Sequence, residues 1–221
     1  MSQMSPAREA ALSRIRASLA DVPDAPAEQD TPVPWAYGRP RPLEDAVAQL
    51  EDRILDYRAG FERCSPAGLP DAVVRALQTH GAASVVLPDG LDRTIVDAVG
   101  AAGIGVRGDE PPLSRAELDA TSAVVTTCAV AAAETGTIML DHGPGQGRRA
   151  LSLLPDVHVC IVRADQVVSD VPEAVARITP AVRQERPVTW ISGGSATSDI
   201  ELSRVEGVHG PRTLHVLLVE D

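Results

Sequence analysis

The sequence predicts an α/β domain: a mostly parallel, twisted sheet flanked by helices, preceded by an N-terminal helix and a proline-rich arm. Three observations carry this. From residue 43 onward, short apolar runs alternate with amphipathic stretches of helical period. Hydrophobic residues make up 44% of the chain but aromatic ones only 2%, so the core is built from Ala, Val, Leu and Ile, which suits parallel strands covered by helices. Glycine-rich loops then fall beside apparent strands, and open α/β sheets bind ligands just beyond strand ends.

In chain order, Ser5 caps a first helix with Pro6 in its first turn. Leu12, Ile15 and Leu19 form its apolar stripe, with Arg8, Arg14 and Arg16 around the polar side. Prolines at 23, 26, 32, 34, 40 and 42 make the stretch from Asp21 to Pro42 an extended arm, in which Trp35 and Tyr37 are expected to dock on a neighbour or on the domain itself. Residues 1–42 are thus read as helix and arm, and 43–221 as the α/β domain. Leu43, Ala46, Val47, Leu50, Ile54 and Tyr57 fit a second amphipathic helix. A helix from Pro70 to His80, a strand from Ala83 to Leu87, a helix from Leu91 to Ala102 and a short strand from Ile104 to Val106 follow. Ser114 caps a helical turn. Ala123 to Thr127 reads as a strand, with Thr137 to Leu140 as its hairpin partner or neighbour. Leu151 to Leu154 is expected to be helical, Val157 to Val162 a strand, and Pro172 to Arg183 a helix. Pro187 to Ile191 reads as a buried strand, and Thr213 to Val219 as the last one.

Twenty basic residues, all arginine, against thirty-one acidic ones give a net charge of −11. That field repels nucleic acid and anionic membrane surfaces, so any anion site must be locally basic. Cys64, Cys128 and Cys160 are odd in number and widely spaced, which supports neither a disulfide framework nor a cysteine-only cluster. Each is expected to be a small buried hydrophobe. No leader-like apolar segment and no run of membrane-span length is present, which makes a cytoplasmic protein without membrane insertion the expectation.

The densest polar chemistry lies between the last two expected strands. Gly193, Gly194, Ser195, Thr197, Ser198, Asp199 and Glu201 offer exposed backbone, hydroxyls and carboxylates, and Gly207 and His209 follow in a second glycine loop. The loop from Gly143 to Arg149 precedes a helix. Its glycines free backbone amides, and Arg148, with Arg149 beside it, is positioned to pair with a phosphate or carboxylate. It is neither a Walker loop nor a dinucleotide fingerprint. Glu134 stands before Thr135, Gly136 and Thr137, as a turn anchor or, if partly buried, as a base or nucleophile. His142, His158 and His209 lie in or near these segments without metal-ligand spacing, and no metal site is assigned. His158, inside an apolar run, reads as a core histidine. The four loops at 134–137, 143–149, 193–201 and 207–211 are expected to meet in one pocket.

These segments carry a resemblance. Glu134-Thr-Gly-Thr-Ile138, Gly147-Arg-Arg-Ala-Leu-Ser-Leu-Leu-Pro155, His158, Ser195-Ala-Thr-Ser-Asp-Ile-Glu201 and Val205-Glu-Gly-Val-His-Gly-Pro211 occur in the order seen in the lactate-utilization protein C family, the LUD domain, which the chain resembles from about residue 120 to 221. Arg8 to Arg16 is similar too. One departure is Gly193-Gly194-Ser195, where the family pattern has Gly-Pro-Ser. The resemblance implies a fold similar to the glucosamine-phosphate isomerase, ribose-phosphate isomerase and CoA-transferase group. It also implies a part in oxidising L-lactate to pyruvate alongside an iron–sulfur LUD protein and a cysteine-rich iron–sulfur subunit. With no iron–sulfur, flavin or nicotinamide motif of its own, the chain reads as a non-redox component that holds a small anionic metabolite. The alternative is a CoA-transferase-like or sugar-phosphate isomerase-like enzyme using Glu134, because Ala133-Glu134-Thr135-Gly136 resembles the Ser-Glu-Asn-Gly that carries the transferase glutamate. In either case Glu134 and His209 are the catalytic candidates.

Overall fold

The structure is a computed structural model that describes residues 6–22, 26, 39, 41–197, 205–206 and 210–220. It forms two compact units, Met1–Tyr37 and Gly38–Asp221. The first contains helix α1 (Pro6–Ser18), none of whose residues is buried. Ser5, Trp35 and Tyr37 lie outside the described residues.

The second unit is built on strands β1 (Gly60–Cys64), β2 (Ser84–Val86), β3 (Gly105–Arg107), β4 (Ala123–Thr127), β7 (Val157–Arg163) and β12 (Thr213–Val219). They form one sheet in the order β1-β12-β7-β4-β2-β3, parallel at every pairing. Side chains alternate between its faces as the pleat requires. Val125, Val159, Ile161, Leu217 and Val219 pack on one face against helices α3 (Leu69–Thr79) and α4 (Arg93–Ala101). Cys160, Val162, Leu214, Val216 and Leu218 face the other way, onto helix α2 (Ala46–Asp56) and a second sheet. That second sheet joins β8 (Val167–Val168), β5 (Val130–Ala132), β6 (Thr137–Leu140) and β9 (Thr189–Ile191) in this order, antiparallel except for β5 with β8. Helix α6 (Val171–Arg183) covers its outer side through Ala174, Ile178 and Ala181. The layers therefore run helix, parallel sheet, mixed sheet, helix.

The helices start where their sequences supply caps. Asp45 accepts from Ala48 N at 2.8 Å at the head of α2, and Asp92 accepts from Thr94 N at 2.8 Å at the head of α4. Ser114 and Glu117 close a reciprocal capping box on helix α5 (Arg115–Asp119). Asp170 accepts from Glu173 N at 3.0 Å to begin α6.

Four expectations change. Thr137 to Leu140 pairs with Val130–Ala132, not with Ala123–Thr127, because the chain leaves the parallel sheet after Thr127 and folds its hairpin in the second sheet. The run from Pro187 to Ile191 is not a buried strand. Only Thr189–Ile191 is extended, it is an edge strand paired on one side, and Trp190 is 50% exposed. The segment at 149–152 is a 3₁₀ turn (Arg149–Ser152) and not an α-helix. Strand β1 was not foreseen, since Gly-Phe-Glu-Arg-Cys carries charges that only a sheet edge tolerates.

Candidate functional site at the two ends of the sheet

The expected single pocket is split between opposite ends of the parallel sheet. At the amino ends of β7 and β12, Thr213 N donates to Asp156 O at 3.1 Å, and Ser195 N donates to Pro211 O at 2.7 Å. The Gly193–Ser195 loop is thereby fastened where these two strands begin. Gly193 has φ +82°, a left-handed conformation that favours glycine, and a side chain at Gly194 would strike the Arg212 carbonyl. Glycine at 194 therefore lets two backbones approach closely.

A cavity of 340 Å³ opens at this end, lined by Arg149, Ser152, His158, Thr189, Ser195 and Gly210, among others. His158 is its buried floor. It shares a 2.8 Å hydrogen bond with Thr126 Oγ1, and burial lowers its pKa to about 4, so it is neutral near pH 7. The imidazole of His142 is held at both nitrogens. Its Nδ1 lies 2.7 Å from Gly147 O, a carbonyl that only accepts, so Nδ1 donates there, and its Nε2 shares a 2.8 Å hydrogen bond with Thr189 Oγ1. A chain of hydroxyls braces the loop from behind: Thr135 Oγ1 to Thr137 Oγ1 at 2.7 Å and Thr137 Oγ1 to Ser192 Oγ at 2.9 Å.

The sequence-predicted residues sort accordingly. Arg149, Gly193, Gly194 and Ser195 line the amino-end cavity, while Thr135 and Thr137 connect to it through Ser192. Arg148 points elsewhere: its guanidinium forks onto Asp109 at 2.7 and 3.0 Å and donates to Leu113 O at 2.6 Å. That partner holds the Asp109 carboxyl below the usual range, so Arg148 acts as a tie to the loop before α5. Arg149 is exposed and forms no ion pair with any described residue. Glu134 is also outside the cavity. Its carboxylate is 48% exposed, pairs with Arg41 at 3.4 Å, and sits in a separate depression with Arg53 and Ser169. Gly136 packs against Arg53, and Gly147 against Leu151 and Pro88. Backbone Thr197 lies in the short ribbon β10 (Ala196–Thr197), paired with β11 (Val205–Glu206). Ser198, Asp199, Glu201, Gly207 and His209 lie outside the described residues.

The Gly143–Gly147 part of the basic loop lies at the other end. Gly145 N donates to Asp89 O at 2.7 Å and Gly145 O accepts from Thr127 N at 2.8 Å, which seats it at the carboxyl ends of β2 and β4. This is a topological switch point: from β2 the chain crosses through α4 on one face to β3, whereas from β4 it leaves on the other face into the second sheet. A cavity of 510 Å³ lies there, walled by Leu91, Ile95, Ile161 and Val219, with Cys128 and Gln166 on its polar side. Those polar groups satisfy one another. Gln166 Nε2 donates to Cys128 O at 2.8 Å, Gln166 Oε1 accepts from Arg163 N at 2.9 Å, and the neighbouring Cys160 thiol, together with burial, pushes the Cys128 thiol well up. Sequence reading missed this crevice because its residues are ordinary; the signal was the strand ends themselves.

Among the described residues, no group of three or more His, Cys, Asp or Glu side chains is arranged to hold a metal ion, and no helix is long and apolar enough to cross a membrane.

A family model described as the LUD domain matches residues 94–219, more than half of the chain. The chain belongs to the LUD domain family. A Lactate utilization protein C of Deinococcus radiodurans is 55% identical over 185 residues, covering 83% of this chain and 84% of its own length. A protein of the same description from Bacillus pumilus is 29% identical over 236 residues, 97% of each chain. Among solved structures, a DUF162 family protein from Deinococcus radiodurans superposes with a TM-score of 0.70 at 49% identity, over 81% of this chain and 100% of that one. The family match therefore begins inside α4 and takes in all of the amino-end cavity, while the carboxyl-end cavity also draws on Pro66, Leu69, Leu91 and Asp92 ahead of it.

Proposed function

We propose that this LUD domain chain is a non-redox component of a bacterial system that oxidises L-lactate to pyruvate together with iron–sulfur subunits. Its part is to bind a small anionic metabolite in the amino-end cavity. Support for the pathway comes from the relatives described as Lactate utilization protein C. The observation that carries the binding role is Arg149: a cation without a described carboxylate partner, on the wall of a cavity that also presents the hydroxyls of Ser152, Thr189, Ser192 and Ser195 beside apolar walls such as Leu153 and Leu214. An arginine fork offers paired donors to a carboxylate, and a strongly acidic chain needs such a local cation to admit an anion at all. Ser198, Asp199, Glu201, Gly207 and His209 enter the proposal through sequence alone, as chain neighbours of Ser195 and Gly210, which line the cavity. The transferase-like or isomerase-like reading with Glu134 is not favoured, since that carboxylate is half exposed, paired with Arg41 and away from both cavities.

The test is deletion of the gene in a strain with no other lactate dehydrogenase, with growth measured on L-lactate as sole carbon source. Growth is expected to fail and to return with the intact gene. Unimpaired growth rejects the assignment. Co-purification of iron–sulfur proteins with the tagged chain is the second expected result.

A further inference from the structure

We propose that anion binding in the amino-end cavity takes up a proton on His158, so that the ligand is held more tightly as the pH falls. The inference rests on the anion-binding reading above and adds how that site is regulated. Its basis is one ring nitrogen. His158 is 1% exposed, and its Nε2 shares a 2.8 Å hydrogen bond with Thr126 Oγ1. Its Nδ1 bonds to no described residue. Nor is that nitrogen sealed in, because the sealed side-chain atoms without a partner, among the described residues, are Arg186 Nε and His215 Nε2. His158 lines the cavity and Thr126 does not, so Nδ1 opens onto the cavity. Buried polar atoms are normally hydrogen-bonded, and a ligand is the partner this one can take.

The groups around the ring leave its charge uncompensated. Among the described residues lining the cavity, Arg149 is charged and none is a carboxylate. On β4 the ring meets Thr126, whose hydroxyl also reaches the Cys160 thiol at 3.8 Å. On β12 it lies level with Leu214, and on β9 the cavity wall is Thr189, which leads on to His142. Asp156, two residues before His158, is exposed and faces Arg212 at 3.7 Å. Burial therefore acts unopposed, and the pKa of His158 falls to about 4. An anion paired with Arg149 brings the missing negative charge to the same space. An opposite charge within about 4–6 Å favours the protonated ring by roughly ten- to a thousandfold. By linkage, the anion is then bound about tenfold more tightly at pH 5 than at pH 7.5.

Isothermal titration calorimetry of the full chain with sulfate and with pyruvate, both fully ionised from pH 5 to 8, tests this. Repeating the titration at pH 5 in two buffers of different ionisation heat counts the proton directly. A net uptake of about half a proton or more per anion is expected, falling to none by pH 8. His158→Asn keeps a polar side chain on the cavity floor and removes the titrating ring. Its affinity is expected to stay level across this pH range and its proton uptake to vanish. Arg149→Ala, at an exposed position, should weaken binding at every pH. NMR of the His158 ring in the unaltered chain needs no variant: saturating anion is expected to raise its titration midpoint. Binding without proton uptake, uptake that survives His158→Asn, or a midpoint that does not move overturns this inference and leaves the anion-binding reading standing. If neither anion binds, both fail together.

Discussion

The two ends of the parallel sheet differ in kind. The carboxyl-end crevice is the larger cavity and sits where the topology parts the chain, yet its amide, thiol and backbone groups are bonded to one another. The amino-end cavity is smaller and lies where parallel sheets seldom bind ligands, yet it holds a cation without a described partner and hydroxyls with spare lone pairs. Topology makes space, but only uncommitted polar groups make a chemical site. The loop from Gly143 to Arg149 links the two, because its glycines belong to the crevice and its last arginine to the cavity.

The comparison breaks most visibly in the core beneath the amino end. Leu214, 2% exposed, is both a core residue and a wall of that cavity. Leu214→Ala is expected to cost about 2–5 kcal/mol in urea unfolding, against about 1 kcal/mol for the half-buried Leu91→Ala at the crevice. Acid should also act first at the amino end. His158 is held neutral in the fold with a pKa of about 4, below its unfolded value of about 6.5. Its contribution is therefore complete above about pH 6.5 and is lost as pH falls toward 4, a loss of about 3 kcal/mol. Burial also lowers the pKa of His80 and of His215, which meet at 3.1 Å, and adds to the same slope. A stability-against-pH curve that stays flat between pH 6.5 and 4 contradicts this.

Smaller effects separate structural from binding roles. Gln166→Leu orphans Cys128 O and Arg163 N at the crevice, and is expected to cost about 1–3 kcal/mol without altering anion affinity at the other end. Arg148→Ala releases Asp109, whose side chain is only 13% exposed, and should cost about 1–3 kcal/mol. Arg149→Ala should change stability by less than about 0.5 kcal/mol while weakening anion binding, measured by calorimetry beside the Arg148 variant. If Arg148→Ala and not Arg149→Ala abolishes binding, the assignment of the two neighbours is reversed.

Much of the fold was legible because period and composition are local properties. The strands Ala123–Thr127, Val157–Arg163 and Thr213–Val219 are nearly unbroken aliphatic runs, and α3 and α6 carry clear apolar faces. The partners of β5, β6 and β9 were not legible, since one apolar run resembles another and only the loop geometry decides which sheet receives it. At the site, glycines and hydroxyls drew attention to the right loop around Ser195. The choice between Arg148 and Arg149 depended on Asp109, thirty-nine residues away, which no spacing reveals. Glu134 looked chemical because of its neighbours in sequence, but its neighbours in space are Arg41 and Arg53.

The position of β12 has a consequence for synthesis. This strand, residues 213–219, lies between β1 and β7, and among the described residues β1 has no other partner in the sheet. While the chain is still emerging from the ribosome, the edge formed by residues 60–64 waits for a segment made about 150 residues later, and β7 presents an unpaired apolar edge until that segment arrives. Closing the sheet therefore waits until that later segment is made, and the nascent chain passes through a stage exposed to strand-edge association, when chaperone binding would matter most.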